Sequence, residues 1–137
     1  MVFKNISDIK RHVQLSCNKA VKSACDRLLE ELQKIIKLEY YDQYDPKQYV
    51  RTNQFLESAM TKMLKENAGL IYMNEYVMDY KKWTGELQLR YASQGYHGSF
   101  DIKTEGRFWD TFSNFCENNV RQILKEELLK QGVPVIN

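Results

Sequence analysis

Three cysteines and two histidines carry the most reactive side chains of this sequence, and their spacing argues against catalysis. Cys17, Cys25 and Cys116 fall on or beside apolar helical faces, where a free cysteine behaves as a small hydrophobic residue. His12 and Cys17 are five residues apart and point to different faces of a helix, whereas a zinc site needs four converging ligands. The sequence therefore predicts no metal ion and no cofactor.

Sequence motifs of familiar enzyme classes are also missing. The chain has no Gly-rich phosphate loop, no serine in a strand-turn-helix elbow and no His-Glu-x-x-His motif. One remote alternative pairs His97 with a cysteine as a hydrolase, and it predicts that Cys116→Ser or His97→Ala abolishes an activity. Tyr96 and His97 lie at a predicted loop tip that is either a solvated turn or a contact presented to a partner. We expect a protein without enzymatic activity.

Length and composition indicate one folded domain over residues 1–137. With 43% hydrophobic residues, six glycines and two prolines, the chain can form a real core and does not resemble a disordered protein. An odd number of cysteines argues against a disulfide framework and for a reducing compartment. Because we find no signal-peptide pattern and no apolar run long enough for a bilayer, we also expect no membrane association.

Residues 5–41 have the periodicity of one long amphipathic helix. Asn5 or Ser7 can cap its start, and apolar residues then recur every three or four positions: Ile9, Val13, Cys17, Val21, Ala24, Leu28, Leu32, Ile35 and Ile36. At 1.5 Å per residue such a helix is about 50 Å long. The rest of so small a domain cannot cover it, so part of the helix must project or be buried by another chain.

Charge and aromatic residues leave open an alternative function as a small nucleic-acid-binding or regulatory protein that uses the basic N-terminal helix. Residues 1–37 contain eight Lys or Arg and four Asp or Glu, a net charge of +4, while the whole chain carries +2. A basic helix is either a solvated face or a surface for an acidic partner or DNA. A cluster of tyrosines could stack on single-stranded nucleic acid or pack against the sheet, and the acidic residues among them favour packing: Tyr40, Tyr41, Tyr44 and Tyr49.

The remaining elements predict an α+β fold. Pro46 ends the long helix in a turn, and residues 59–65 and 70–76 form a predicted hairpin around a loop with Gly69. Alternation at 87–91 and 100–103 predicts a second hairpin, which gives a four-stranded antiparallel meander over 59–104. Residues 107–131 form a final helix with Gly132 as its C-cap, and its aromatic residues are expected in the core: Phe108, Trp109 and Phe112.

The run from Tyr44 to Ser58 resembles the tail-component family of tailed phages, whose members complete the head–tail joint, or neck. The resemblance rests on Tyr44-Asp45-Pro46-Lys47, Tyr49, Arg51-Thr52, Leu56 and Ser58, and on Gly106-Arg107-Phe108-Trp109 at the start of the last helix. It covers most of the chain, from about Val21 to Gly132. The common family turn is Pro-Val-Asp-Thr-Gly, from which this sequence departs at Arg51 and Asn53. Residues 81–105 match nothing in the family.

The resemblance implies a structural protein of the virion rather than an enzyme. It implies a homo-oligomeric ring of six-fold or twelve-fold symmetry, a tail-completion or tail-terminator role between the portal or adaptor proteins and the tail tube, and non-specific contact with genomic DNA in the channel. Assembly would take place in the host cytoplasm. The residues expected to act are the turn residues Pro46, Arg51, Thr52 and Leu56, the inter-subunit residues Val21, Leu28, Leu32 and Ile35, and the loop-tip residues Tyr96 and His97.

Overall fold

A long N-terminal helix and an antiparallel C-terminal helix organise the molecule. The computed structural model describes residues 2–43, 53–78, 84–93, 96–97, 100–101 and 107–136. Its helices and strands are, in chain order, α1 (Ile6–Glu39), α2 (Gln54–Glu57), β1 (Ala59–Lys65), β2 (Ala68–Met73), α3 (Gly85–Ser93), β3 (Tyr96–His97), β4 (Phe100–Asp101) and α4 (Phe108–Lys130). Short 3-10 turns lie at Tyr41–Gln43 and Glu75–Val77. The predicted α+β class and both long helices are confirmed.

Both long helices are ended by the residues that the sequence offers for that purpose. At the start of α1, Asn5 is in extended conformation and its Oδ1 accepts a hydrogen bond from the Asp8 amide at 2.9 Å. At the end of α4, Gly132 adopts φ +75°. The Gly132 amide then donates to Leu129 O and the Val133 amide to Leu128 O, each at 3.0 Å, which is a Schellman motif.

The first predicted hairpin is present and packs on α1. β1 and β2 pair antiparallel around a turn at Glu66 and Asn67, with Asn67 at φ 57° and a register irregularity between Met63 and Lys65. Gly69 faces α1 so closely that a Cβ there would overlap Cys25 Sγ. A residue without a side chain is what lets the strand approach the helix at this point.

The predicted four-stranded meander is wrong. Among the described residues the strands form two separate two-stranded sheets, β1 with β2 and β3 with β4. The stretch predicted as the third strand lies in α3, where the Leu87 amide donates to Thr84 Oγ1 at 3.3 Å. Gly85 and Ala92 are buried and Leu89 is partly buried against the core. That spacing is helical, and the alternation of a few leucines and tyrosines was too short to exclude it.

One core cluster joins α1, α2, α3 and α4. Phe55 of α2 is fully buried and lies between the rings of Tyr40, at a centroid distance of 4.5 Å, and Phe108, at 5.4 Å. The other buried members come mainly from the second half of α1 and from α4: Ala24, Leu28, Leu32, Ile35, Ile36, Tyr41, Phe112 and Ile123. Tyr40 and Tyr41 are therefore core residues, as the packing interpretation of the tyrosine cluster expects, whereas Tyr44 and Tyr49 lie outside the described residues.

Candidate interaction surface

The two halves of α1 lie in different surroundings. Thr111 Oγ1 of α4 donates a hydrogen bond to Glu39 Oε1 at 2.7 Å, and Arg27 Nη1 donates to Glu126 Oε2 at 2.9 Å. Because these contacts join the end of α1 to the start of α4 and the middle of α1 to the end of α4, the two helices run antiparallel. The hairpin turn covers the next stretch, where the Asn67 amide donates to Asn18 Oδ1 at 3.0 Å and Gln14 contacts Glu66. In the described residues nothing covers α1 before this point.

Residues 2–13 therefore project from the body of the molecule, and we call them the N-terminal projection. All of them are exposed except His12, which is half-buried and packs its ring against Phe3 at 5.2 Å. Ile6 is 72% exposed, Ile9 44% and Val13 42%. With 100° between successive residues, these three side chains lie on the face that Ala20 and Ala24 bury further along the same helix. The buried apolar stripe of α1 thus continues, uncovered, into the projection.

The opposite face of this part of α1 is polar and basic. Arg11, Lys19 and Lys22 share that face and are exposed, with Asp8 and Asp26 at its two ends. Leu15 also lies there and is 53% exposed. The projection is accordingly amphipathic, with one apolar side and one charged side.

A second partly apolar surface lies along α4. Trp109 is 39% exposed and Val120 40%, and their spacing places them on one line with Ser113 and Cys116. We call these four residues the outer strip of α4. Its exposed members are Trp109 and Val120, whereas Ser113 and Cys116 are partly buried and Cys116 packs on the core. The Trp109 ring also lies 5.7 Å from that of Phe112. Asp110 and Glu117 are exposed along one edge of the strip. The sequence assigned Trp109 to the core with Phe108 and Phe112, but only the two phenylalanines are buried there.

An ion-pair network fixes α4 against α1. Glu127 is buried, and its Oε1 accepts from Arg27 Nη1 at 2.8 Å and from Lys130 Nζ at 2.7 Å. The hydrogen bond from Lys130, and then that from Arg27, hold the pKa of Glu127 below its usual value although burial raises it. Gln122 and Arg27 lower the pKa of Glu126 in the same way. The sequence does not reveal this network, because its ion pairs depend on the register of two helices that are far apart along the chain.

The shallow groove beside this network has no catalytic arrangement. Its volume is about 380 Å³, and it is lined by side chains of both helices: Arg27, Glu30, Glu31, Lys34, Phe115, Asn119, Gln122, Ile123 and Glu126. Lys34 forms an ion pair with Glu31 at 2.6 Å, and Arg27 forms one with Glu126 at 2.9 Å. These pairs stabilise the surface of the helix pair and leave no nucleophile beside a base.

The cysteines do not form a reactive site in the described part of the chain. All three are free and half-buried. Burial raises the pKa of the Cys25 and Cys116 thiols, so each stays protonated at neutral pH and is a poor nucleophile. Throughout the described ranges, no three His, Cys, Asp or Glu side chains are placed to hold a metal ion.

The predicted site residues do not converge on one place. Leu28, Leu32 and Ile35 lie in the core of this chain, so in this conformation they are unavailable to a neighbouring subunit, and Val21 is half-buried. Leu56 packs on the core, and its amide donates to Tyr41 Oη at 3.3 Å. Pro46, Arg51 and Thr52 lie outside the described residues. The backbone of Tyr96 and His97 forms β3, in which His97 pairs with Phe100.

No helix within the described residues is both long enough and apolar enough to span a membrane. Comparison with curated proteins and with solved structures gave no match. One family model, described as YomN, matches residues 5–131 and thus spans both long helices and the hairpin. Its name is that of a phage-derived gene of the SPbeta type, which associates the chain with a phage. The chain belongs to the YomN family.

Proposed function

We propose that this chain is a non-enzymatic structural protein of a tailed-phage neck. In this proposal it forms a single domain and assembles with copies of itself into a ring of six-fold or twelve-fold symmetry. The ring connects the portal or adaptor side of the capsid to the tail tube. The observation that carries the proposal is the uncovered apolar stripe of the N-terminal projection, formed by Ile6, Ile9 and Val13.

Leaving these apolar side chains in water costs free energy. Burying one valine or isoleucine side chain stabilises a protein by about 1.5–3 kcal/mol relative to leaving it in water. Here three such side chains share one face of a helix and are left 42–72% exposed. Clusters of exposed apolar side chains mark interaction surfaces more often than isolated ones do. If the chain is a subunit of an assembly, a neighbouring copy would cover these side chains. The phage-associated family supports placing that assembly in a phage.

The residues that make contact in this proposal are therefore those of the projection, not the buried residues of α1. Tyr96 and His97 were expected at a loop tip and form β3 instead, and they remain proposed contacts to an adjacent neck, portal or tail-tube protein. The turn residues Pro46, Arg51 and Thr52 keep the role that the resemblance to tail-component proteins implies.

Locating the chain in purified virions tests the proposal. We expect mass spectrometry to detect it in intact particles and in isolated tails or necks, and labelled antibodies to bind at the head–tail joint. A phage that lacks the gene should accumulate full heads and separate tails. Particles that join normally without the protein, or that do not contain it, would contradict the proposal.

A second candidate function is nucleic-acid binding by the basic face of α1. The shared face of Arg11, Lys19 and Lys22 favours it, while Asp8 and Asp26 on the same face weaken it. Binding of this kind falls with salt at a log–log slope of about −0.9 per phosphate contact on duplex DNA. A gel-shift series over a range of salt concentrations, with Arg11→Glu/Lys22→Glu as the comparison, decides it. A shift that is absent, or that both proteins share, removes this candidate.

A further inference from the structure

Two surfaces of this molecule are complementary in charge and similar in apolar character. The N-terminal projection carries Lys4, Lys10 and Arg11 against one acidic residue, Asp8, and of these Arg11 and Asp8 lie on the face opposite the apolar stripe. Lys10 is exposed and lies four residues from Ile6, so it stands beside the apolar stripe. The outer strip of α4 exposes Trp109 and Val120 and has carboxylates along one edge.

The charged residues along the edge of the outer strip of α4 have a net charge opposite in sign to that of the projection. Asp110 and Glu117 are both exposed, and Arg121 follows one turn beyond Glu117, which leaves a net charge of −1 along this edge. Glu117 is three residues before Val120, so its carboxylate borders the apolar part of the strip. A cation beside one apolar stripe and an anion beside the other allow the two helices to pair.

We propose that the N-terminal projection of one copy docks on the outer strip of α4 of a second copy. Ile6, Ile9 and Val13 would pack on Trp109 and Val120, and Lys10 would approach Glu117. The place of this contact in a ring rests on the proposed neck function, but the contact itself rests on the two surfaces.

The same charges disfavour the symmetrical alternatives. Two projections pairing with each other would bring Lys4 and Lys10 of both copies together, and two outer strips would bring Asp110 and Glu117 together. Pairing of unlike surfaces is heterologous, so every copy that offers its projection still has its outer strip free. Such contacts propagate from copy to copy and end only in a closed ring or an open chain.

Sedimentation equilibrium of the full chain tests the docking, with Ile9→Asp as the first variant. We expect the wild-type protein to self-associate as concentration rises and Ile9→Asp to weaken association by about tenfold or more, because a charge then replaces a buried isoleucine. Leu15→Asp is the matched control, since Leu15 is similarly exposed on the opposite face of α1. Wild-type protein that stays monomeric, or equal losses in both variants, would overturn the proposal.

Exchanging the charges of Lys10 and Glu117 tests whether the outer strip of α4 is the surface on which the projection docks. Lys10→Glu and Glu117→Lys should each weaken association alone, and an equimolar mixture of the two should restore it, because each then offers the other a complementary surface. Self-pairing of the projection would instead leave Glu117→Lys unaffected, and a mixture that fails to recover would also overturn the proposal. Thermal unfolding of each variant alone checks that it folds as the wild type does.

These outcomes separate the docking from the proposed function. A protein that is found in the neck but is monomeric in isolation, and insensitive to Ile9→Asp, leaves the function standing and removes the docking. A protein that associates through these surfaces but is absent from virions retains the docking and loses the neck function.

Discussion

The two halves of α1 have the same apolar periodicity and opposite surroundings. In the second half Leu28, Leu32 and Ile36 are buried against the rest of the chain, whereas in the projection Ile6, Ile9 and Val13 are exposed. The periodicity states which face of the helix is apolar, but it does not state which molecule covers that face. The difference between the halves thus separates the part of α1 that stabilises the fold from the part whose apolar face is left exposed.

The largest expected effect comes from truncating one apolar side chain to alanine in each half of α1. Leu32 is fully buried, so Leu32→Ala should lower the free energy of unfolding by about 2–5 kcal/mol. Val13→Ala in the projection should change it by less than about 0.5 kcal/mol. Chemical denaturation of both variants at a low protein concentration measures the difference, and comparable losses would show that the projection is part of the folded core.

Gly69 tests the stretch of α1 that the hairpin covers. A Cβ at this position would overlap Cys25 Sγ, so Gly69→Ala should destabilise the protein by about 1–3 kcal/mol through overpacking. Cys25→Ala in the same chain removes the sulfur and should recover most of that loss. Denaturation of the single and double variants checks this, and additive losses would mean that the two residues do not meet.

Acid should weaken the contact between α1 and α4. The pKa of Glu127 is lowered in the folded chain from an ordinary value of 4.5, so its stabilising effect is complete above that pH and is lost as the pH falls through the lower, folded value. Glu127→Gln should flatten the fall in unfolding midpoint below pH 4.5. Glu117→Gln, on the outer side of α4, is the control, and equal flattening by both would exclude the network as the cause.

Removing the cap of α1 should have the smallest effect on global stability. Asn5→Ala loses the hydrogen bond from the Asp8 amide, which costs the helix terminus about 1 kcal/mol. Because the rest of the protein does not cover the projection, its first turns should fray while the unfolding midpoint stays nearly constant. Hydrogen exchange should become faster for amides of the projection and stay unchanged around Leu32. A lower midpoint would show that the projection is coupled to the core.

The sequence was sufficient to predict the elements whose ends are determined by neighbouring residues, such as helix caps and a hairpin turn. Asn5 and Gly132 mark the ends of the two long helices, and the run around Asn67 and Gly69 predicts the first hairpin. The strand predicted at 87–91 was wrong because α3 packs on the core through Gly85, Leu89 and Ala92. These residues have helical spacing, and two of them are too small to stand out as apolar positions. Thr84 before this stretch was the available signal, since it caps the first turn of α3.

The candidate surface could be predicted only in part for a related reason. The length of the helix over 5–41 required that part of it project or meet another chain, and the uncovered stripe is consistent with that. Which part of α1 projects depends on where α4 and the hairpin end along it. Those positions are set by contacts between residues far apart in the sequence, which the apolar periodicity does not reveal. Leu28, Leu32 and Ile35 were therefore assigned to a subunit contact although they lie in the core.

The position of Glu127 has a consequence for the dimensions of the molecule. A slide of α4 by one turn along α1 would move it about 5.4 Å and leave this carboxylate without Arg27 in a buried place. Such a slide is costly because the buried carboxylate would keep only Lys130, on its own helix, of its two cationic partners. The ion pair therefore fixes where α4 ends along α1, and together with the hairpin turn on Asn18 and Gln14 it determines the length of helix that projects.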